Sequence, residues 1–145
     1  DQWRQTTDTS VSSSTLYPSN WERNDTVFDK IGTGMSESSG IFTFPSTGIW
    51  YVSFHAIATG AASDYISTKI HVTENNSTYV NRAESYQNTV AASDYVGILT
   101  NLFVDVSNTS NVKVKFFTDT GAGITIKGDT SRNETWVNFI RLGDT

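Results

Sequence analysis

Two histidines, His55 and His71, are the only imidazoles available to move a proton near neutral pH. Each falls inside an alternating run, WYVSFHA and YISTKIHV, where a strand rather than a catalytic loop is expected. No H-x-x-x-H pair, G-x-S-x-G elbow or glycine-rich phosphate loop accompanies them. Thr118 to Gly123 (TDTGAG) holds one Asp-Thr-Gly, whereas an aspartic protease needs two carboxylates sharing a proton. Fifteen acidic residues are spread over the chain without singling out a catalytic pair. With no cysteine there is neither a thiolate nucleophile nor a disulfide framework. These residues point to binding, and an enzyme is not expected.

The binding candidates sit on turns, so the strands that place the turns come next. Trp3 and Arg4 belong to a short first strand at 3–6, within a polar N-terminal segment over 1–20. Thr26 to Ile31 (TVFDKI) reads as a second short strand, and Met35 to Ser39 as a polar loop. Gly40 to Phe44 and Gly48 to Ala58 read as strands joined by Pro45-Ser46-Thr47-Gly48, where proline presets φ and glycine permits a positive one. Further strands are expected at Tyr65 to Val72, Tyr79 to Tyr86, Tyr95 to Val106, Val112 to Thr118, Ile124 to Lys127 and Thr135 to Leu142. Such spacing, with no convincing helix, implies an all-β jelly-roll β-sandwich of two antiparallel sheets, in one domain over 1–145.

If the strands alternate in direction, the turns before Tyr65, Tyr95 and Thr135 share one end. That end carries Asp64, Asp94, Asp129, Arg132, Asn133 and Glu134, the candidate receptor or ligand loops. Asp64, Asp94 and Asp129 are also candidates to hold Ca²⁺ through oxygen ligands, although each aspartate suits capping its own turn as well. Tyr65, Tyr86 and Tyr95 are candidates to stack on a sugar ring, against the plainer role of packing. AASDY occurs at Ala61 to Tyr65 and again at Ala91 to Tyr95, a shared way of starting a strand. Five N-x-S/T sequons begin at Asn24, Asn75, Asn76, Asn108 and Asn133; in a eukaryotic secreted protein they would mark glycosylation, whereas in a phage protein they only reflect an Asn/Thr-rich composition, which is the reading preferred from the sequence.

The bulk properties restrict the partners. The formal net charge is −5, and the ten basic residues form no cluster, which argues against nucleic acid. No apolar run approaches the ~20 residues that span a bilayer, so no membrane insertion is expected. Charged residues make up only 17% and aromatics 12%, a composition that suits an all-β module outside the cytoplasm. The chain opens at Asp1 without methionine, which is read as an excised or processed piece.

One feature of the strands is unusual. In Gly48 to Ala58, Ile49, Tyr51 and His55 point one way, and Trp50, Val52 and Phe54 the other. In Tyr95 to Val106, Val96, Ile98, Leu102, Val104 and Val106 line one face, and Tyr95, Leu99 and Phe103 the other. Trp136, Ile140 and Leu142 oppose Val137 and Phe139 in the last strand. A strand with one wet face does not need apolar groups on both sides.

The pattern Phe28-Asp29, then Gly40, Phe42, Pro45, Gly48, Trp50-Tyr51, Val52 and Phe54, resembles the globular head of complement component one, subcomponent q, a jelly roll shared with the tumour necrosis factor superfamily. The resemblance runs in order from Trp21 to Leu142 and is specific in the Gly40 to His55 block. Val52 stands where the family has an aromatic. The combination IGTGM…SGIFTFPSTGIW with FIRLGDT also looks like domains of marine bacteriophage virion proteins.

The resemblance implies a compact homotrimer whose inner sheet is covered by the sandwich core and by neighbouring subunits, which accounts for the two-sided strands. It places Tyr51, Leu99, Phe103 and Phe139 at the trimer interface. It also implies that the loop end faces away from a stalk, and that some heads bind calcium there. The expected function is a non-catalytic head of a surface fibre or spike, a phage structural protein that attaches to a host and registers three chains. The alternative is a cellular secreted ligand or lectin-like domain of the same fold, and a third reading is a capsid-decoration domain without a receptor. Expected partners are two further copies and a cell-surface receptor or glycan, at the virion surface or outside the cell.

Overall fold

The computed structural model describes residues 1–17 and 19–145. Thirteen strands are formed among them. In chain order they are β1 (Gln2–Gln5), β2 (Thr9–Val11), β3 (Thr15–Leu16), β4 (Trp21–Arg23), β5 (Ser36–Ser38), β6 (Ile41–Thr43) and β7 (Gly48–Gly60). The rest are β8 (Ser63–Thr73), β9 (Val80–Thr89), β10 (Tyr95–Val106), β11 (Lys113–Thr120), β12 (Ile124–Ile126) and β13 (Trp136–Gly143). No helix occurs among the described residues.

All pairings are antiparallel and they make two sheets. In the larger, β7 is central: β10 runs along one edge, while β13 and then β12 share the other. β1 and β4 extend the sheet beyond β13, and β2 extends it beyond β12. The smaller sheet runs β5-β6-β11-β8-β9, with β3 paired to β11. This is the expected all-β sandwich of two antiparallel sheets.

Alternation along β7 puts Trp50, Val52, Phe54, Ala56 and Ala58 into the core, where they meet Ile66, Ile70 and Val72 of β8 and Val114 and Phe116 of β11. Phe42 is the hub. Its ring lies 5.6 Å from Trp3, 5.3 Å from Trp21, 5.4 Å from Phe116 and 5.2 Å from Phe139. Most of these contacts are edge-on, the arrangement in which ring edges meet π faces. Gly48 of the PSTG turn has φ +133°, and a Cβ there would sit 2.3 Å from the Gly143 carbonyl oxygen. Glycine is therefore needed where β7 begins beside the end of β13.

Two local expectations are corrected. Thr26 to Ile31 is not a strand but a turn and loop. Asp29 adopts φ +60° and its N–H donates to the Asn24 carbonyl at 2.7 Å, closing the loop on itself. The free edge of β1 is taken instead by Trp21–Arg23, so TVFDKI has no ladder to join. Conversely, Ser36–Ser38 is a strand paired to β6, and Met35 before it is buried.

The sequence gives no warning of the polar knot on β1. Arg4 is 1% exposed. Its Nε donates to Glu22 Oε1 at 2.8 Å, its Nη2 also pairs with that oxygen, and further bonds reach Asn24 Oδ1 at 3.4 Å and Thr26 Oγ1 at 3.2 Å. A buried guanidinium is tolerated only with its counter-charge. Glu22→Gln is therefore expected to lower unfolding free energy by about 2 kcal/mol, below the fully buried case because the Glu22 side chain remains 31% exposed. Urea unfolding reads this directly, and the pairwise replacement Arg4→Met with Glu22→Leu should recover most of the loss.

Candidate functional site

The outer face of the larger sheet is built in rows, because register sets which side chains stand side by side. Phe103 of β10 faces Tyr51 of β7, which faces Ile140 of β13. The Phe103 and Tyr51 rings are 5.5 Å apart. The next row is polar: Asn101, Ser53 and Asn138, with Gln2 of β1 donating to Asn138 Oδ1 at 2.6 Å. The row after that is Leu99, His55 and Trp136. The His55 and Trp136 rings stack at 5.3 Å, and His55 Nδ1 lies 3.1 Å from the Glu134 carbonyl oxygen. Phe103 is 65% exposed and Leu99 48%, and Tyr95 and Ile140 are exposed on the same face. Single exposed apolar residues are ordinary, whereas a contiguous set across three strands marks an interaction surface.

Of the four residues assigned to an interface, Tyr51, Leu99 and Phe103 therefore stand on this open face. Phe139 does not. It is 1% exposed, pairs with Val52 and packs in the Phe42 cluster. The cause is register: Val137 and Phe139 oppose the core-facing Phe54 and Val52, so Trp136, Asn138 and Ile140 take the outer side. Ile140 is the residue that completes the row.

Two of the three turns called upon for ligand binding, those before Tyr65 and Tyr95, share one end. Tyr95 pairs with Thr59, Ile124 with Gly60 and Ser63 with Thr89, so the loops 61–62, 90–94 and 121–123 cluster there. The 127–135 loop does not: β12 and β13 follow each other in one direction along the same edge of β7, from Ile126 opposite Ala58 to Trp136 opposite His55, so the loop between them leaves from the side of the sheet, where the Lys127 amide donates to the Ile57 carbonyl at 2.8 Å. At the opposite end Gly143 pairs with Ile49 and Val106 with Gly48. Within one chain, however, Asp64, Asp94 and Asp129 are not assembled around a cation: no three His, Cys, Asp or Glu side chains among the described residues could hold a metal. Asp94 Oδ2 accepts from the Val90 and Ala91 amides at 2.8 and 2.9 Å. Asp129 accepts from the Ser131 amide and hydroxyl, both at 2.6 Å, and those bonds hold its carboxyl below the usual range. Both aspartates cap turns.

Arg132 bridges Asp129 and Glu134, each at 3.2 Å, and so neutralises this loop at its centre. Asn133 turns inward and donates to Gln2 Oε1 at 2.5 Å. Asp64 is exposed. Tyr65 and Tyr86 meet edge to face at 6.4 Å rather than as a flat platform, and Tyr95 stands on the open face.

The opposite, outer side of the smaller sheet carries His71, stacked on Phe117 at 4.3 Å. His55 and His71 thus lie on different sheets and cannot work as a pair. Asp119 of the Asp-Thr-Gly segment is bonded by Lys69 at 2.8 Å. Burial depresses the His71 pKa below its ordinary 6.5, helped by Lys69 and Lys115 and opposed by Glu84. A base whose folded pKa is depressed stays neutral in the fold, so its stabilisation is complete above 6.5 and lost as pH falls through the folded value. Urea midpoints measured above and below pH 6.5 should fall on the acid side, and His71→Gln should flatten that dependence.

No protein-family model matches the chain, and neither does any curated protein. Among solved structures it is similar to Eiger TNF from S. frugiperda, with a TM-score of 0.77, 12% identity, and coverage of 99% of this chain and 92% of that one. It is also similar to murine APRIL, in structures at pH 8.5 and pH 5.0, with TM-scores of 0.68 and 0.69 and identities of 13% and 12%. Both comparisons cover 97% of this chain and 96% of the other. The chain has the tumour necrosis factor-like jelly-roll fold.

Proposed function

We propose that this chain is a non-catalytic extracellular binding head that works as a homotrimer and engages a cell-surface receptor. The observation that carries the reading is the open row of Phe103, Tyr51 and Ile140, flanked by Leu99 and Tyr95, on a sheet whose other face is already the core. An obligate interface resembles a core cut in half, and this face has that composition at its ends with a polar row between. A ring of three needs a heterologous contact, in which the open face of one copy meets a different surface of the next. The loop end, with Asp64 exposed, and the side loop that carries exposed Arg132 are then left for the receptor.

The non-catalytic reading is supported by the separation of the two histidines and by the turn-capping work of Asp94 and Asp129. Similarity in fold to an insect and a mouse protein supports a secreted cellular ligand over a phage fibre head, which rests on short motifs alone. The test is binding of the purified protein to animal cells before and after surface proteolysis. Saturable binding lost with the surface proteins is expected; no binding to any animal cell would overturn the ligand reading.

A further inference from the structure

The five sequons are sorted by the fold into two groups. Asn24 is 6% exposed; its Nδ2 donates to Gln2 Oε1 at 2.6 Å, and its Oδ1 accepts from Arg4 at 3.4 Å. Asn133 Nδ2 donates to the same Gln2 oxygen at 2.5 Å, and Thr135, the hydroxyl residue of that sequon, is fully buried. A sugar on either nitrogen would break the Gln2 bonds and wedge β1 away from its neighbours.

The other three are different. Asn75, Asn76 and Asn108 are all exposed. Asn75 Oδ1 accepts from the Ser77 amide at 3.0 Å and the Thr78 amide at 2.8 Å, and Asn108 Oδ1 accepts from the Ser110 amide at 2.8 Å. In both, the oxygen is used by the turn, and among the described residues the nitrogen makes no hydrogen bond. These turns, between β8 and β9 and between β10 and β11, lie side by side, joined by the Asn76 amide donating to the Asn111 carbonyl at 2.9 Å. They are at the end opposite the 90–94 loop.

We infer that this turn pair is an N-glycosylation end, with one glycan on Asn108 and one on either Asn75 or Asn76, while Asn24 and Asn133 stay bare in the folded protein. The inference rests on the extracellular reading, since a secretory route supplies the co-reactant, a lipid diphosphate-linked oligosaccharide. The Asn Nδ2 bonds to the anomeric carbon, the bond from that carbon to the diphosphate oxygen breaks with its electron pair, and the nitrogen loses one proton. Adjacent Asn75 and Asn76 share one turn, so one bulky glycan excludes the second. The placement has a consequence: the open face and the loop end both remain free of sugar, so each stays available for contact.

The experiment is secretion of the chain from eukaryotic cells behind a leader, then peptide mapping after enzymatic release, which converts each occupied Asn to Asp. Two glycans per folded chain are expected. Asn108→Gln should remove one, the double variant Asn75→Gln with Asn76→Gln should remove the other, and either single change in that pair should remove none. A bare Asn108 or a bare Asn75/Asn76 pair would overturn the inference. So would a glycan on Asn24 or Asn133 in protein that keeps the unmodified unfolding midpoint. Where secretion is poor, translation into microsomes reads the same occupancy. Glycan-free protein made in bacteria is used for oligomeric state and cell binding, so failure of the binding-head reading shows there independently of occupancy.

Discussion

Phe103→Glu is expected to convert the assembled protein into folded monomers. Phe103 is 65% exposed in a single copy, so a carboxylate there costs the isolated fold little. In the proposed trimer the same carboxylate would be desolvated against apolar neighbours without a counter-charge, and a central aromatic contact would be lost. Hot-spot losses of this kind are about 2 kcal/mol or more per contact, or about 30-fold in affinity at each interface. A cyclic trimer contains the contact three times, so the effect multiplies. Sedimentation should show a single-chain mass for the variant, with the unfolding midpoint of the dissociated protein unchanged. Ile140→Glu should act in the same direction, because Ile140 closes the row on the far side of Tyr51.

Phe42→Ala is expected to produce the largest loss of stability. The side chain is wholly buried and its ring touches Trp3, Trp21, Phe116 and Phe139, which come from four different strands and both sheets. Removing it opens a cavity that four rigid rings cannot close, at a cost of about 3–5 kcal/mol. Domains of this size have roughly 5–15 kcal/mol in total, so the variant should sit near the edge of folding. Phe139→Ala should behave in the same way. Were Phe139 an interface residue, that change would instead leave a well-folded monomer. The two outcomes are told apart by urea unfolding beside sedimentation.

These two side chains also show what the sequence could and could not reveal. Gly48 to Ala58 and Tyr95 to Val106 alternate strongly over many residues, so both strand and facing were legible: Trp50, Val52 and Phe54 go in, and Tyr51, Leu99 and Phe103 come out. The last strand is apolar on both sides. Period-2 alternation then separates Phe139 from Ile140 but cannot say which is inside, and only pairing with Val52 decides it. TVFDKI has strand-forming residues yet no edge to pair with, because strand formation depends on a partner that local sequence does not name. Trp21–Arg23 and Ser36–Ser38 are three residues each, too short for alternation to register.

The candidate site divides along the same line. That the turns before Tyr65 and Tyr95 meet at one end followed from alternating strand direction, but the loop before Thr135 joins β12 to β13, which run the same way beside β7, so alternation misplaced it. What the side chains of these loops do did not follow. Asp94 and Asp129 are occupied by backbone amides two to four residues away, which leaves no converging set of carboxylates for calcium. Gln2, unremarked in the sequence, gathers Asn24, Asn133 and Asn138 through one amide group. Contacts spanning more than a hundred residues have no local signature.

The central claim is that the outer face of the larger sheet is closed by copies of the same chain. Sedimentation equilibrium of the unmodified protein over a dilution series tests it most directly. The account expects three chains' mass, persisting on dilution, and a shift to one chain's mass on Phe103→Glu. A stable single-chain mass for the unmodified protein would contradict it.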